Sequence, residues 1–233
     1  MKVAIHQPQY IPWPGYFAKI LSVDTFILYD SAQYQKNSII NRNKLLMNKK
    51  EHHLTIPTQA GRTQDKIKEK KTVIDGWRVK HLNVIKGNYP KCNFYPEVLK
   101  IFEKTFDQDT DSLCEINCRN VRMICEYLGI TTQLVLSSQL NIDGDGDATQ
   151  KNLDMVKKVS GKEYISGEGG KNYLKEELFS NSGIKVRYFH FLPTDYPQHG
   201  MKSHVPGLSI IDLIANVPKE EIIGRLKKGW VEL

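Results

Sequence analysis

Apolar residues along this chain follow two alternating spacings. Runs such as Val3-Ala4-Ile5 and Phe26-Ile27-Leu28 are near-continuous, as in strands covered on both faces. Between them, residues 15–23 place Phe17, Ile20 and Leu21 at helical spacing. Strand, helix, strand in quick succession predicts a βαβ unit with parallel strands. The alternation resumes later: 96–106 and 111–128 predict helices, 133–136 a strand, 148–159 a helix and 163–166 a strand. Segment 173–180 then reads as a helix, 185–191 as a strand, and 209–216 with 219–227 as closing helices. Gly129, Gly161 and Gly183 each stand between a helix and the next strand. The expected class is α/β, a mostly parallel open sheet with flanking helices, Rossmann-like.

One segment, 35–91, breaks the pattern. Residues 45–47 and 53–56 around a polar turn predict a hairpin closed by Pro57; 61–71 reads as an exposed loop, and 77–86 as a helix with Asp75 as N-cap. The expectation is a single domain, 1–233, carrying this insertion.

Charge gives the insertion a meaning. The 233-residue chain has net charge +7, but 35–91 holds 14 Lys and Arg against four acids, so the rest is slightly acidic. A localised surplus suggests a polyanionic partner or a merely solvated surface. Lys66, Lys68, Lys70 and Lys71 read as solvated. No run approaches the ~18 apolar residues of a membrane span, and the opening residues lack a leader pattern, so the expected location is cytoplasmic. Cys114, Cys118 and Cys125, on one face of a helix, read as small buried hydrophobes; Cys92 stands apart.

The richest chemistry lies between the first strand and helix, in His6-Gln7-Pro8-Gln9-Tyr10-Ile11-Pro12-Trp13-Pro14-Gly15-Tyr16-Phe17. Ligands of open α/β sheets bind at the carboxyl ends of strands, where His6 falls. Gly15 would let backbone approach a ligand at the helix start, and a neutral imidazole there suits acid or base work. The alternative is a proline-stiffened turn packing Tyr10, Trp13 and Tyr16 inward.

This segment closely resembles the opening of the WbqC-like family of bacterial proteins. The resemblance continues at Asn41-Arg42-Asn43-Lys44, Leu54-Thr55-Ile56-Pro57 and Trp77-Arg78-Val79-Lys80-His81. It resumes at Tyr164-Ile165-Ser166-Gly167 with Gly170 and Tyr173, at Tyr196-Pro197-Gln198, and at Leu208-Ser209-Ile210-Ile211-Asp212-Leu213. It implies association with surface-polysaccharide and O-antigen gene clusters, hence with nucleotide-linked, often amino-bearing sugars. It implies no established catalytic mechanism. The strand-ending His6 and later Gly15 are also faintly similar to the H-x-G-H arrangement of nucleotidylyltransferases, with longer spacing and Tyr16 in place of the second His.

The expected function is therefore group transfer to a nucleotide-linked sugar, with His6 as general base. Gln7, Asn41 and Gln198 would orient the sugar, and Arg42, Lys80 and His81 would hold phosphates, with Tyr10, Tyr16 and Lys44 nearby. Trp77, Lys80 and His81 share a helix face: an aromatic plate beside cationic groups, or core residues and a surface lysine. Ser166-Gly167-Glu168-Gly169-Gly170, ahead of Tyr173, forms either an anion-binding concavity or a tight turn needing positive φ. Ser209 is a ligand contact or an N-cap, and Tyr196, Gln198 and His199 occupy a loop suited to a lid. An acyl or aminoacyl group is one candidate cargo, with the donor left open, and no cofactor or resident metal is expected. The acidic run from Asp143 to Asp147 lacks the EF-hand pattern. The competing reading is a nucleic-acid-binding module, including a tRNA binder, that uses the basic segment.

Overall fold

The computed structural model describes residues 1–142 and 146–233. Strands β1 (Lys2–His6), β2 (Thr25–Leu28), β5 (Gln133–Leu136), β6 (Glu163–Gly167), β7 (Lys185–Phe191) and β8 (Trp230–Glu232) form one sheet, in the order β5-β2-β1-β6-β7-β8. Neighbours are parallel except β8, which runs antiparallel to β7. Strands β3 (Arg42–Met47) and β4 (Lys50–Thr55) make a separate antiparallel hairpin. The helices are α1 (Pro14–Leu21), α2 (Trp77–Asn88), α3 (Tyr95–Phe106) and α4 (Leu113–Leu128), then α5 (Ala148–Lys158), α6 (Glu176–Ser180), α7 (Ile210–Asn216) and α8 (Lys219–Gly229). This is the expected α/β fold with the hairpin inserted.

Two apolar clusters cover the sheet. Ala4, Phe26, Leu28 and Ile165 pack with Phe17 and Ile20 of α1, Ile124 and Leu128 of α4, and Leu226 of α8. Val3, Ile5, Ile27 and Tyr164 on the other face meet Leu153 and Val156 of α5 and Phe179 of α6. Burial on both faces explains why β1 and β2 read as unbroken apolar runs rather than alternating ones. Leu45, Leu54 and Ile56 of the insertion join the first cluster, so the hairpin shares the main core.

The strand order positions the site. After β1 the chain builds outward through β2 to β5, then returns across the sheet to add β6 on the opposite side of β1. The direction reverses between β1 and β6, which is where such sheets open a crevice at their carboxyl edge. The register shows the opening: β1 pairs with β6 only through Ala4↔Ile165, while its pairing with β2 runs on to His6↔Leu28.

Four local expectations change. The helix predicted over 173–180 is short, starting at Glu176 after a 3-10 turn at Glu168–Asn172. The chain ends in a strand, β8, rather than in a helix. Segment 61–71 contains a 3-10 turn at Ile67–Glu69. Within it Lys70 is buried instead of solvated, its Nζ 3.3 Å from Asp65 and 5.2 Å from the Tyr34 ring centroid. The N-cap position of α2 is Gly76, at φ 72°, although Asp75 Oδ1 still accepts from Trp77 N at 3.0 Å.

Candidate active site

Residues 7–13 connect β1 to α1, and their neighbours hold them rigidly. Asn117 Nδ2 donates to the carbonyls of Pro8 at 3.1 Å and Ile40 at 2.7 Å. Asn120 Oδ1 accepts from Ile11 N at 3.2 Å, and Asn43 Nδ2 donates to Ile11 O at 2.9 Å. These bonds keep buried Ile11 at φ 38°, a left-handed conformation that costs a β-branched residue on the order of 1–3 kcal/mol. Strain of that kind persists only where the surroundings over-determine it. The loop is a fixed shelf, with His6 at one end and Trp13 at the other.

His6 ends β1, half-buried, its ring edge-on to Tyr16 at 5.1 Å. Gln9 Nε2 lies 3.1 Å from His6 Nδ1, and the Gln7 carbonyl lies 3.4 Å from the same atom. With Gln9 donating, Nδ1 is the acceptor and the proton sits on Nε2, which presents a donor to a ligand oxygen. With Nδ1–H donating to Gln7 O, Nε2 is bare and can act as base. Burial and then nearby Lys19 lower the His6 pKa to about 3, so the imidazole is neutral at physiological pH.

Lys19 is a site residue that the sequence reading overlooked. Only 6 % exposed, it reaches back from α1, and its Nζ donates to Ile5 O at 3.0 Å. Carbonyls alternate along a strand; His6 O accepts from Tyr29 N on the β2 side, so Ile5 O faces β6, beyond the last β1–β6 pair. The ammonium therefore lies on the β6 side of β1, with one hydrogen bond among the described residues for three donors. No carboxylate pairs with it among the described residues. Burial lowers its pKa to about 8. A lysine one turn after Tyr16 on an otherwise buried face was the available clue.

β6 supplies the other wall. Ser166 is buried, with its Oγ donating to Gly167 O at 3.1 Å. Gly167, Gly169 and Gly170 do not have positive φ, which removes the tight-turn explanation for this glycine run. Gly170 is required by packing, since a Cβ there would lie 2.1 Å from Ser166 Oγ. At Gly167 and Gly169 a Cβ would meet nothing within 4 Å, so the backbone at the end of β6 is bare without any packing need. Tyr173 is 50 % exposed and close enough to Tyr29, past the end of β2, to add to burial in raising that phenol's pKa.

The remaining residues singled out by sequence fall into separate places. Gly15 leaves room not for a ligand but for Trp13, whose indole lies 2.2 Å from where its Cβ would stand. Tyr16 is buried, its hydroxyl donating to Gln7 O at 3.1 Å. Tyr10, Trp77 and His81 are core residues. His81 Nε2 donates to Thr55 O at 3.1 Å, Nδ1 accepts from the Tyr10 hydroxyl at 2.7 Å, and Trp77 packs edge-on between His81 and Phe106. Burial lowers the His81 pKa to about 4. Lys80, on the same helix, is 70 % exposed and 3.9 Å from Asp75, so no aromatic-and-cation plate forms. Asn41 is buried, bonded to Ile56 O. Ser209 is the N-cap of α7, its Oγ accepting from Ile211 N. Gln198 is not on a free lid: its Nε2 donates to Asp212 Oδ2 at 2.9 Å, where the Tyr196 hydroxyl also donates, while Tyr89 donates to Oδ1. Asp212, in the first turn of α7, is the buried hub of that network. Arg42 and Lys44 face a different groove beside Trp13.

Among the described residues, no group of three or more His, Cys, Asp or Glu gathers as metal ligands, and no helix is long and apolar enough to cross a membrane. Asp143 and Asp145 of the acidic run lie outside the described residues. A model of the WbqC-like protein family matches residues 7–223. The chain is 35% identical over 224 residues to "Uncharacterized protein Rv1507c" of Mycobacterium tuberculosis (strain ATCC 25618 / H37Rv), covering 94% of this chain and 95% of that one. No solved structure matches.

Proposed function

The chain belongs to the WbqC-like protein family, and from that premise we propose that it is a cytoplasmic transferase acting on a nucleotide-linked, amino-bearing sugar in surface-glycan assembly. The observation that carries this reading is Lys19, a buried ammonium with no carboxylate partner among the described residues, beside His6 where β1 and β6 part. A desolvated cation of this kind is stabilised by an anion that arrives with the ligand. A diphosphate placed there meets Lys19 and the bare backbone of Gly167 and Gly169, leaving the Nε2 of His6 for the sugar. Gln7, whose side-chain amide makes no hydrogen bond among the described residues, is free to orient the sugar.

Phosphate binding also changes His6. Burial first, and then Lys19, suppress its protonation; an anion on Lys19 offsets the second of these and raises the imidazole pKa above its value of about 3. The bare-Nε2 tautomer then takes a proton from a sugar amine or hydroxyl as that group attacks the carbonyl of an acyl donor; the acyl–carrier bond breaks, and the carrier leaves with its electron pair and takes the proton from His6. Support for an amino-sugar acceptor comes from what the family resemblance implies.

Unfolding temperatures measured with dTDP-, UDP- and GDP-linked sugars at 1 mM test the reading. A micromolar binder stabilises by several kcal/mol, which for a chain of this size moves the midpoint by about 5 °C or more. His6→Ala should remove turnover of the sugar that binds while leaving the midpoint of the free protein nearly unchanged. If no nucleotide-linked sugar shifts the wild-type midpoint, the proposal fails.

A further inference from the structure

Trp13, at the far end of the shelf from His6, stands where two dissimilar cavities meet. It is 37 % exposed, its indole held over Gly15 and edge-on to Phe191 at 5.6 Å. On one side lies an open groove of about 330 Å³, whose lining includes Arg42, Asn43, Lys44 and His53. On the other lies a smaller cavity of about 120 Å³, lined by Phe191, Leu208, Leu213 and Leu226 together with His204 and Arg225. Trp13 and Gly207 border both. The polar half is cationic. Arg42 makes no ion pair among the described residues, while Lys44 is 2.7 Å from Glu51, and both sides of that pair stay solvent-accessible. Burial first, then Arg42 and Lys44, disfavours the charged form of His53, which places all three in one positive neighbourhood.

We propose that this bipartite groove seats an organic phosphate ester, with its phosphate on Arg42 and Lys44 and a short apolar arm under Trp13 in the smaller cavity. Arg42 offers a free guanidinium fork for bidentate contact with phosphate oxygens. The apolar cavity is close in size to engineered pockets that stay dry and take up small hydrocarbons. Acyl groups carried on phosphate-bearing arms belong to this ligand class. The inference therefore deepens the transferase reading, on which it rests, by naming the group-donor seat at the opposite end of the shelf from the nucleotide-sugar edge.

The probes are methyl phosphate, n-butyl phosphate, n-butanol and inorganic phosphate, titrated into the full chain and followed by tryptophan fluorescence, with Trp13→Phe assigning the signal. n-Butyl phosphate should bind at least tenfold more tightly than methyl phosphate, because each buried methylene contributes about fourfold. It should also exceed n-butanol and inorganic phosphate by at least tenfold, and Arg42→Gln should reduce it to the level of n-butanol. Equal affinity for methyl and butyl phosphate, equal affinity for n-butanol, indifference to Arg42→Gln, or absence of binding at 10 mM would each overturn the proposal. Arg42→Gln should keep the unfolding shift produced by a nucleotide-linked sugar. Loss of butyl phosphate binding with that shift intact thus separates failure here from failure of the strand-edge reading.

Discussion

Lys19 and His81 are both buried bases, but only one is fully partnered. His81 has its proton donated to Thr55 O and its lone pair filled by Tyr10, so it is stable only as the neutral ring. Its pKa is about 4 in the fold against 6.5 in the unfolded chain, so below pH 6.5 the unfolded state takes up a proton that the folded state refuses. The stability that His81 contributes is complete above pH 6.5 and is lost as pH falls toward 4. At pH 5 the loss is about 2 kcal/mol. Urea unfolding at pH 7 and pH 5 should show His81→Gln with a smaller pH dependence than wild type by that amount; an identical dependence would mean that the ring is not held neutral. Lys19, by contrast, stays charged below pH 8 with one acceptor for three donors. Its burial is offset among the described residues only by Ile5 O, and that is the observation from which the proposed function takes it as the anion holder.

At the scale of elements, the shelf from β1 to α1 depends on a glycine whose space another side chain uses. Gly15→Ala puts a methyl into the Trp13 indole, and buried backbone there leaves little room to adjust. The expected result is a stability loss of about 1–3 kcal/mol from overpacking, with red-shifted tryptophan emission as Trp13 swings out; unchanged emission would show that the indole does not rest on Gly15. The alternation of apolar runs and helical stripes revealed β1, β2, β5, β6, β7 and most helices, because two-face burial leaves its mark on local sequence. It did not reveal β8, three residues long and formed only because β7 offers an edge. Nor did it show that 173–175 lie outside the helix, which begins only at Glu176, since tertiary contacts set that path rather than periodicity.

For the molecule as a whole, the strand order converts a list of motif residues into places. His6, Ser166 and Gly167 are 160 positions apart in sequence, yet share one carboxyl edge because the sheet reverses direction between β1 and β6. That much was legible from a histidine at a strand end. The grouping of Trp77, Lys80 and His81 was not, because helical spacing cannot say which side of a helix is covered. The charge surplus of the insertion is also softened in the fold: Lys44, Lys70, Lys71, Arg78 and Lys80 each pair with a carboxylate, while Arg42 has no such pair among the described residues. The cations that the two proposals use are thus Lys19, from outside the basic segment, and Arg42 with Lys44 inside it.

The most direct test compares wild type with Lys19→Met by calorimetric titration of the nucleotide-linked sugar that shifts wild-type unfolding, alongside the unfolding midpoint of each free protein. Removing a desolvated ammonium should raise the stability of the free protein by about 2 kcal/mol and lower its ligand affinity at least a hundredfold. Equal affinity in the two proteins, or a free variant less stable than wild type, would contradict the assignment of Lys19 as the anion holder at the carboxyl edge.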